Sequence, residues 1–394
     1  MYALLTLSFV QNQYITHKPD SNGQMKATKV IDLFSGVGGL SLGAARAGFH
    51  VAGSVEIDPI ASASHSMNFP GTNHFCGDVA GMSGKEVLAK FNVSQRDLAG
   101  IIGGPPCQGF SLIGRRDEED PRNQLFGEFF RIVSEAKPLF FVAENVPGIL
   151  SPKSKSLVDA ALSHVKDTYT LIPPVRIRAS DYGAPTTRTR IFFIGVRTAV
   201  LKDLPEDFFK ADVGTERITV GRALRGLPDV DEDWQDEEAS WRKVRAYEQG
   251  EFEKRLFGIV PNGVGEPEAL RRMKSRLVSG FLGTKHMPET VLRFSKLSSG
   301  EVDSVYRSPR LDPRGFCPTL RAGTNSDRGS YQAVRPIHPR KPRVISPREA
   351  ARLQGFPDWF VFHPTKWHSF RQIGNSVSPI VAEFVLKKVR ELVV

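Results

Sequence analysis

Apolar residues in the first half of the chain fall in short runs that alternate with longer amphipathic stretches. "KVIDLF", from Lys29 to Phe34, is short and almost wholly apolar, the pattern of a strand buried on both faces. A glycine turn follows, then "LSLGAARAG" with helical composition, stopped by Gly48, then "VAGSVEID", a second strand ending near Glu56. Further on, "LAGIIGGPP" reads as a strand running into a turn and "QLFGEFFRIVSEA" as an amphipathic helix. "PLFFVAENVPG" is a strand ending in Glu144 and Asn145, and "TLIPPVRIRASDYGAPTTRTRIFFIGVR" holds two more strands around a turn. Strands alternating with helices predict an α/β fold with a doubly wound, mostly parallel sheet. Ligands of such sheets sit beyond the carboxyl ends of the strands, where Asp32 to Gly39, Glu56, Asp78, Cys107 and Glu144 all fall.

The rhythm stops near residue 198. Residues 199–340 are richer in charge, proline and glycine, and predict a second, smaller domain. Regularity returns with "RVISPREAARLQGFPDWF", where Ser346-Pro347 opens a helix with proline in its first position and Gly355 ends it. "VSPIVAEFVLKKVREL" is a closing amphipathic helix. The predicted organisation is an extension (1–27), a first domain (28–198), the inserted smaller domain (199–340) and a segment that returns to the first domain (341–394).

Composition narrows the class. At 394 residues, 40% hydrophobic and 24% charged, the chain has the make-up of a soluble globular protein. No apolar run approaches the roughly 18 residues of a membrane span. The first twenty residues lack the basic start and small-residue cleavage site of a signal peptide. Residues 1–24 read as a loose extension ahead of Met25. Cys76, Cys107 and Cys317 are too few and scattered for a disulfide framework or a metal site, which fits a reducing cytoplasm. The net charge is +10, and residues 271–343 hold 16 Lys/Arg against 5 Asp/Glu, so this stretch carries the excess. "DVDEDWQDEE", residues 229–238, holds seven acids and reads as a solvated segment. A basic stretch inside a folded chain points to a polyanion, most often nucleic acid.

Two turns carry candidate chemistry. Gly36, Gly38 and Gly39 make the turn of a nucleoside-binding βαβ unit, with Glu56 about 20 residues on to hold ribose hydroxyls. Ser41 occupies the third glycine position of the dinucleotide pattern, which disfavours a dinucleotide and leaves other adenosine cofactors open. "GGPPCQGFS", Gly103 to Ser111, places Cys107 after two prolines that fix φ and two glycines that allow close approach, so a thiol is presented rigidly.

With "DLFSGVGGLSLG", "GGPPCQGFS", "ENVPG", "RTRIFFIG", "REAARLQGFPD" and "QIGNSVSP" in this order, the sequence resembles the bacterial DNA (cytosine-5-)-methyltransferases over roughly 28–198 and 341–394. The resemblance implies a Rossmann-like fold that binds S-adenosylmethionine and releases S-adenosylhomocysteine. It implies Cys107 as a nucleophile toward C6 of cytosine, because a thiolate exists in useful amount near neutral pH and splits one hard step into easier ones. Glu144 is implied at N3, where it must be protonated or share a proton with the ring. Arg190, supported by Arg188, is implied at O2, and Asn145 as organiser of the loop. For the cofactor the resemblance implies Phe34 on the adenine, Gly36, Gly38 and Gly39 along the methionine part, Glu56 at the ribose and Asp78 at the adenine amino group. Pro106 and Leu125 are implied as pocket walls, Asn375 and Ser376 as closing it, and Ser35, Ile57 and Val79 as further cofactor-binding residues. Thr186 stands where the family usually has glutamine before the paired arginines, which puts that glutamine's contacts in doubt.

The implied substrate is double-stranded DNA with a short specific site, its cytosine flipped out because a stacked base cannot reach such a pocket. Residues 199–340 would grip phosphates and read base edges. The resemblance further implies a monomer without membrane contact, whose cognate restriction endonuclease is a genetic partner. Three other readings are weaker. A transfer RNA cytosine-5 methyltransferase of the same fold would carry a Cys-Phe-Thr tract, which is absent. A catalytically silent DNA-binding homologue would have lost Cys107, Glu144 or Arg190, and all are present. An amino-methylating enzyme would want Asn/Asp-Pro-Pro-Tyr/Phe where "GGPPCQ" stands.

Overall fold

The computed structural model describes residues 28–106, 124–201, 204–230, 240–245, 250–258, 260–322 and 335–393. The expected alternation is present. Strand β1 (Lys29–Leu33) leads through the glycine turn into helix α1 (Gly39–Arg46), followed by β2 (His50–Glu56), α2 (Pro59–Asn68), β3 (Asn73–Cys76), α3 (Gly84–Lys90) and β4 (Leu98–Gly103). After residues 107–123 come α4 (Gln124–Ala136), β5 (Phe140–Asn145), α5 (Lys155–Ser163), β6 (Tyr169–Arg178) and β7 (Thr189–Arg197). These strands form one seven-stranded sheet in the order β3-β2-β1-β4-β5-β7-β6, in which only β7 pairs antiparallel to its neighbours.

The order reverses between β1 and β4, and this switch point positions the site. One row of paired residues, Phe75, Val55, Leu33, Gly103, Ala143 and Phe193, crosses six strands. The candidate residues stand just past that row. The glycine turn follows Leu33, the proline turn follows Gly103, Glu144 follows Ala143, and Arg190 precedes Phe193 on the antiparallel strand. Gly103 cannot carry a side chain there, since a Cβ would lie 2.1 Å from the Leu33 carbonyl oxygen.

Side chains alternate between the two faces of the sheet with the period of an extended chain. Phe140, Val142, Phe192 and Ile194 face the core under α1 and the C-terminal helices, while Phe141, Ala143, Ile191 and Phe193 face α3, α4 and α5. Both faces are covered, which explains why the strands are apolar throughout.

Beyond β7 the elements are short: α6 (Val220–Ala223), β8 (Arg242–Lys243), α7 (Glu251–Phe257), α8 (Pro267–Lys274), β9 (Leu277–Val278) and α9 (Pro288–Lys296). Among the described residues, Val230, Val244, Val278 and Phe281 make a separate small apolar cluster, whereas Ile218, Val220, Leu224, Phe252 and Leu320 belong to the core shared with α1 and the C-terminal helices. Residues 1–27 and most of the acidic stretch 229–238 lie outside the described residues.

The C-terminal segment returns as α10 (Pro347–Gln354), α11 (Lys366–Asn375) and α12 (Pro379–Val393). Helix α10 has the expected boundaries. Ser346 and Glu349 form a capping box, Pro347 is the first helical residue, and Gly355 ends the helix at φ 93°. Helix α12 lies on α1, where Gly43 permits contact so close that a Cβ would lie 2.3 Å from that of Ala382. The segment joining α11 to α12 presses on the glycine turn, since a Cβ on Gly39 would lie 2.4 Å from the Val377 carbonyl oxygen. Gly39→Ala is therefore expected to lower stability by about 1–3 kcal/mol, as overpacking against backbone does. Urea denaturation checks this, and an unchanged midpoint would show that the seam yields freely.

Candidate active site

The glycine turn is built from unusual backbone. Phe34 has φ 63°, Gly36 φ 55° and Gly38 φ 102°. Ser35 N–H donates to the Val55 carbonyl at 3.0 Å, tying the turn to the end of β2. Gly36 N–H donates to Glu56 Oε2 at 2.7 Å, and Asp58 N–H donates to Glu56 Oε1 at 2.8 Å. Burial raises the pKa of Glu56 against these two bonds. Gly38 and Gly39 are closed in by Phe69 and Val377, but no atom lies within 4 Å of where a Gly36 Cβ would be. The turn is thus fixed from behind and open at Gly36. The Ser35 hydroxyl and Asp32 Oδ1 are buried without a hydrogen-bond partner.

The other residues expected around this turn take different places. Phe34 is half-buried against the α3–α5 core. Ile57 is 64% exposed, at the rim. Asp78 is exposed and accepts the Ala80 N–H at 2.9 Å, a local turn bond. The Val79 side chain is in the core. Pro106 and Leu125 are half-buried at the two ends of residues 107–123, a segment that lies, with Cys107, outside the described residues. Asn375 is exposed, while Ser376 is buried, donates to the Gln372 carbonyl at 2.7 Å and accepts from Gln354 Nε2 at 2.7 Å.

The second half of the site is a pair of opposite charges. Glu144 and Arg190 stand on adjacent strands, with Arg190 Nε 2.6 Å from Glu144 Oε1. The contact is a close ion pair. Both side chains are largely buried, at 14% and 12% exposure. Burial lowers the Arg190 pKa, opposed by the charge of Glu144. A Cβ on Gly104 would lie 3.2 Å from Glu144 Oε2, so the carboxylate rests against the turn that leads to Cys107. Asn145 closes this corner by donating to the Pro105 carbonyl at 3.2 Å and accepting the Val146 N–H at 2.8 Å.

Arg188 takes a supporting place. It is buried, and its guanidinium donates to the carbonyls of Leu320 (3.2 Å), Gly374 (2.8 Å) and Asn375 (3.4 Å). It holds the C-terminal motif over the sheet, and burial, then the like charge of Arg190, lowers its own pKa. Thr186 accepts the Arg188 N–H at 3.3 Å and lies in a bridge with Cys317, so this short side chain braces the arginine from within the core.

Sequence reasoning passed over one feature. Ser41 Oγ–H donates to Asp32 Oδ2 at 2.6 Å, His65 Nε2 lies 3.0 Å from Ser41 Oγ, and His74 Nε2 lies 2.8 Å from His65 Nδ1. The only signal was Ser41 itself, a serine where the glycine pattern has glycine.

The sheet order agrees with what the chain is similar to. The family model described as C-5 cytosine-specific DNA methylase matches residues 28–391. The Type II methyltransferase M.XorII of Xanthomonas oryzae pv. oryzae is 42% identical over 359 residues, 90% of this chain and 82% of that protein. The Type II methyltransferase M1.HphI of Haemophilus parahaemolyticus is 34% identical over 367 residues, 92% and 86% of the two chains. A crystal structure described as a DNA modification methyltransferase encoded within an E. coli prophage superposes with a TM-score of 0.84 at 50% identity, over 92% of this chain and 99% of that one. The S. pombe Dnmt2 methyltransferase shares the fold at 18% identity and a TM-score of 0.61, over 92% of this chain and 98% of that one. The architecture is the Rossmann-like fold of S-adenosylmethionine-dependent methyltransferases. The chain belongs to the C-5 cytosine-specific DNA methylase family, and it is a DNA cytosine-5 methyltransferase.

Proposed function

We propose that the enzyme moves a methyl group from S-adenosylmethionine to C5 of a cytosine flipped out of a short specific site in double-stranded DNA, by way of a Cys107–C6 bond. It would act as a cytoplasmic monomer and as the modification half of a Type II restriction–modification system, in keeping with the names of its relatives. The observation that carries the reading is the Glu144–Arg190 pair resting against Gly104, which precedes Cys107 closely in the sequence.

The residues present fit an adenosine-bearing cation. Glu56 has acidic oxygens beside the open Gly36, the Asp32 carboxyl lies buried beneath the same turn, and the Ser35 hydroxyl has a free hydrogen-bonding capacity. Glu56 would take the ribose hydroxyls, Phe34 the adenine ring, and Gly36 and Gly38 the methionine part, with Ser376 behind Gly39. Bound there, S-adenosylmethionine supplies an electrophilic methyl on a sulfonium centre.

The chain's own residues then do the rest. Cys107 Sγ bonds to C6 as the 5,6 π pair moves to C5, and negative charge develops toward N3 and O2. Arg190, already desolvated, holds O2 without reorganising, and Glu144 delivers a proton to N3. C5 accepts the methyl as its bond to the sulfonium breaks and the thioether product is left, N3 returns its proton to Glu144, and loss of the C5 proton to solvent restores the 5,6 double bond and expels the thiolate. Residues 199–340, with the basic excess of 271–343, would form the target-recognition domain.

Bisulfite sequencing of plasmid DNA from cells expressing the enzyme or its Cys107→Ala variant tests this reading. Protection of cytosines in one short repeated motif, lost with Cys107, is the expected outcome. A soluble, S-adenosylmethionine-binding enzyme that protects no site would refute DNA as substrate.

A further inference from the structure

We propose that the buried chain Asp32–Ser41–His65–His74 is a charge-matching device under the cofactor turn, with Asp32 the positioning residue that separates a cationic cofactor from its neutral product. The inference rests on the S-adenosylmethionine reading above. Asp32 is the penultimate residue of β1 and is wholly buried beneath the glycine turn. Its Oδ2 accepts the Ser41 hydroxyl at 2.6 Å, while Oδ1 has no partner. The remaining links, His65 Nε2 to Ser41 Oγ at 3.0 Å and His74 Nε2 to His65 Nδ1 at 2.8 Å, are satisfied if each ring carries its proton on Nε2. Every proton in the chain is then directed toward Asp32, and burial lowers the pKa of both rings.

The surroundings leave Asp32 poised to titrate. From β2 the charge of Glu56 acts on it, from α1 Ser41 bonds it, and His65 of α2 and His74 of β3 reach it only through Ser41. Strand β4 offers only "LAGIIG". Asp58, at the start of α2, is paired with Arg371 at 3.3 Å. Burial pushes the Asp32 carboxyl up to about 7, against the Ser41 bond and aided by the charge of Glu56. A fixed positive charge in the site would draw its proton off. The sulfonium supplies that charge and the thioether product lacks it.

The sign follows from linkage. A carboxyl whose pKa falls when a ligand binds makes that ligand bind more tightly as pH rises from the bound-state pKa to the free-state value, and no further above it. The affinity ratio of S-adenosylmethionine to S-adenosylhomocysteine should therefore rise about tenfold from about pH 5.5 to about 7.5. Glu56 would meet the same ribose in both ligands and cancels in the ratio.

Isothermal titration calorimetry of both ligands against the full chain and its Asp32→Asn and Ser41→Ala variants decides the matter. The ligand's own amine titrates alike against all three proteins, so the difference between them isolates Asp32. The expected result is the tenfold rise in the parent enzyme, a flatter dependence in Asp32→Asn, and a window moved to higher pH in Ser41→Ala. Retained binding of the neutral product reports an intact pocket. A ratio that does not change with pH in the parent, or changes equally in Asp32→Asn, overturns the inference while leaving the cofactor reading intact. If Asp32→Asn loses both ligands, an unmoved window in Ser41→Ala overturns it. If neither ligand binds the parent at any pH, the cofactor reading fails and the inference with it.

Discussion

Glu144→Gln is expected to lower kcat for DNA methylation by roughly 10²–10⁴-fold, the usual contribution of a positioned proton donor. The substitution keeps the size of the side chain and a carbonyl facing Arg190, but removes the group that can hand a proton to N3. Arg190→Ala should lower kcat by about 10²–10³-fold, because it withdraws the cation from the developing charge at O2. On the proposed mechanism the two side chains serve one transition-state charge, and they are 2.6 Å apart, so the double variant should lose much less than the product of the single losses. Stability separates chemistry from structure. Glu144→Ala leaves a guanidinium buried without its counter-charge, a change on the order of 3–5 kcal/mol, whereas Glu144→Gln keeps a dipole there and should be milder. Single-turnover methylation and urea denaturation on the same preparations read both quantities. A Glu144→Gln enzyme with parental kcat would remove Glu144 from the chemistry.

Much of this arrangement was legible in the sequence because its causes are local. Short apolar runs buried on both faces, glycine at the turn after β1 and the Ser346–Gly355 helix signals each act within a few residues, and the sheet has the strands they indicate. The motifs likewise pointed to strand ends that the register sets in a single row. What was not legible depends on partners far apart in the chain. Arg188 looked like a neighbour for Arg190, yet its bonds run to Leu320, Gly374 and Asn375. Ser41 looked like a defect in a glycine pattern, and its hydroxyl is what holds Asp32. Val79, next to an acid at a strand end, reads as pocket wall but packs its side chain inward. Irregular composition after residue 198 suggested a smaller separate core, and several of its apolar residues instead join the large one. Nothing in a local window distinguishes these outcomes, since each is fixed by which distant surface arrives.

That sharing of core makes Asp358 the most consequential structural carboxylate of the C-terminal segment. Arg352 and Asp358 are both fully buried, joined at 2.8 Å through Nε and at 2.5 Å through Nη2. Arg352 also donates to the carbonyls of Ala223 (3.2 Å) and Arg225 (2.8 Å), across to the segment after β7. Arg348, one turn earlier on α10, donates to the Ser279 carbonyl at 2.8 Å, and burial together with Arg352 lowers its pKa to about 10, with Asp358 opposing. Asp358 thus compensates two interior guanidiniums that fasten residues 220–225 and 279 to the catalytic sheet. Asp358→Ala should destabilise the protein by about 3–5 kcal/mol, since desolvated charge without a partner is the costliest interior defect. Replacing both members, as Arg352→Met with Asp358→Leu, should recover most of that loss, because a well-packed apolar pair carries no desolvation penalty. Any deficit that remains measures the lost Arg352 bonds to Ala223 and Arg225 together with the charge of Arg348, which keeps its Ser279 bond but loses Asp358. If the double variant is as unstable as Asp358→Ala, the uncompensated charge of Arg352 is not the source of the loss. Urea midpoints for the parent and the two variants discriminate between these cases.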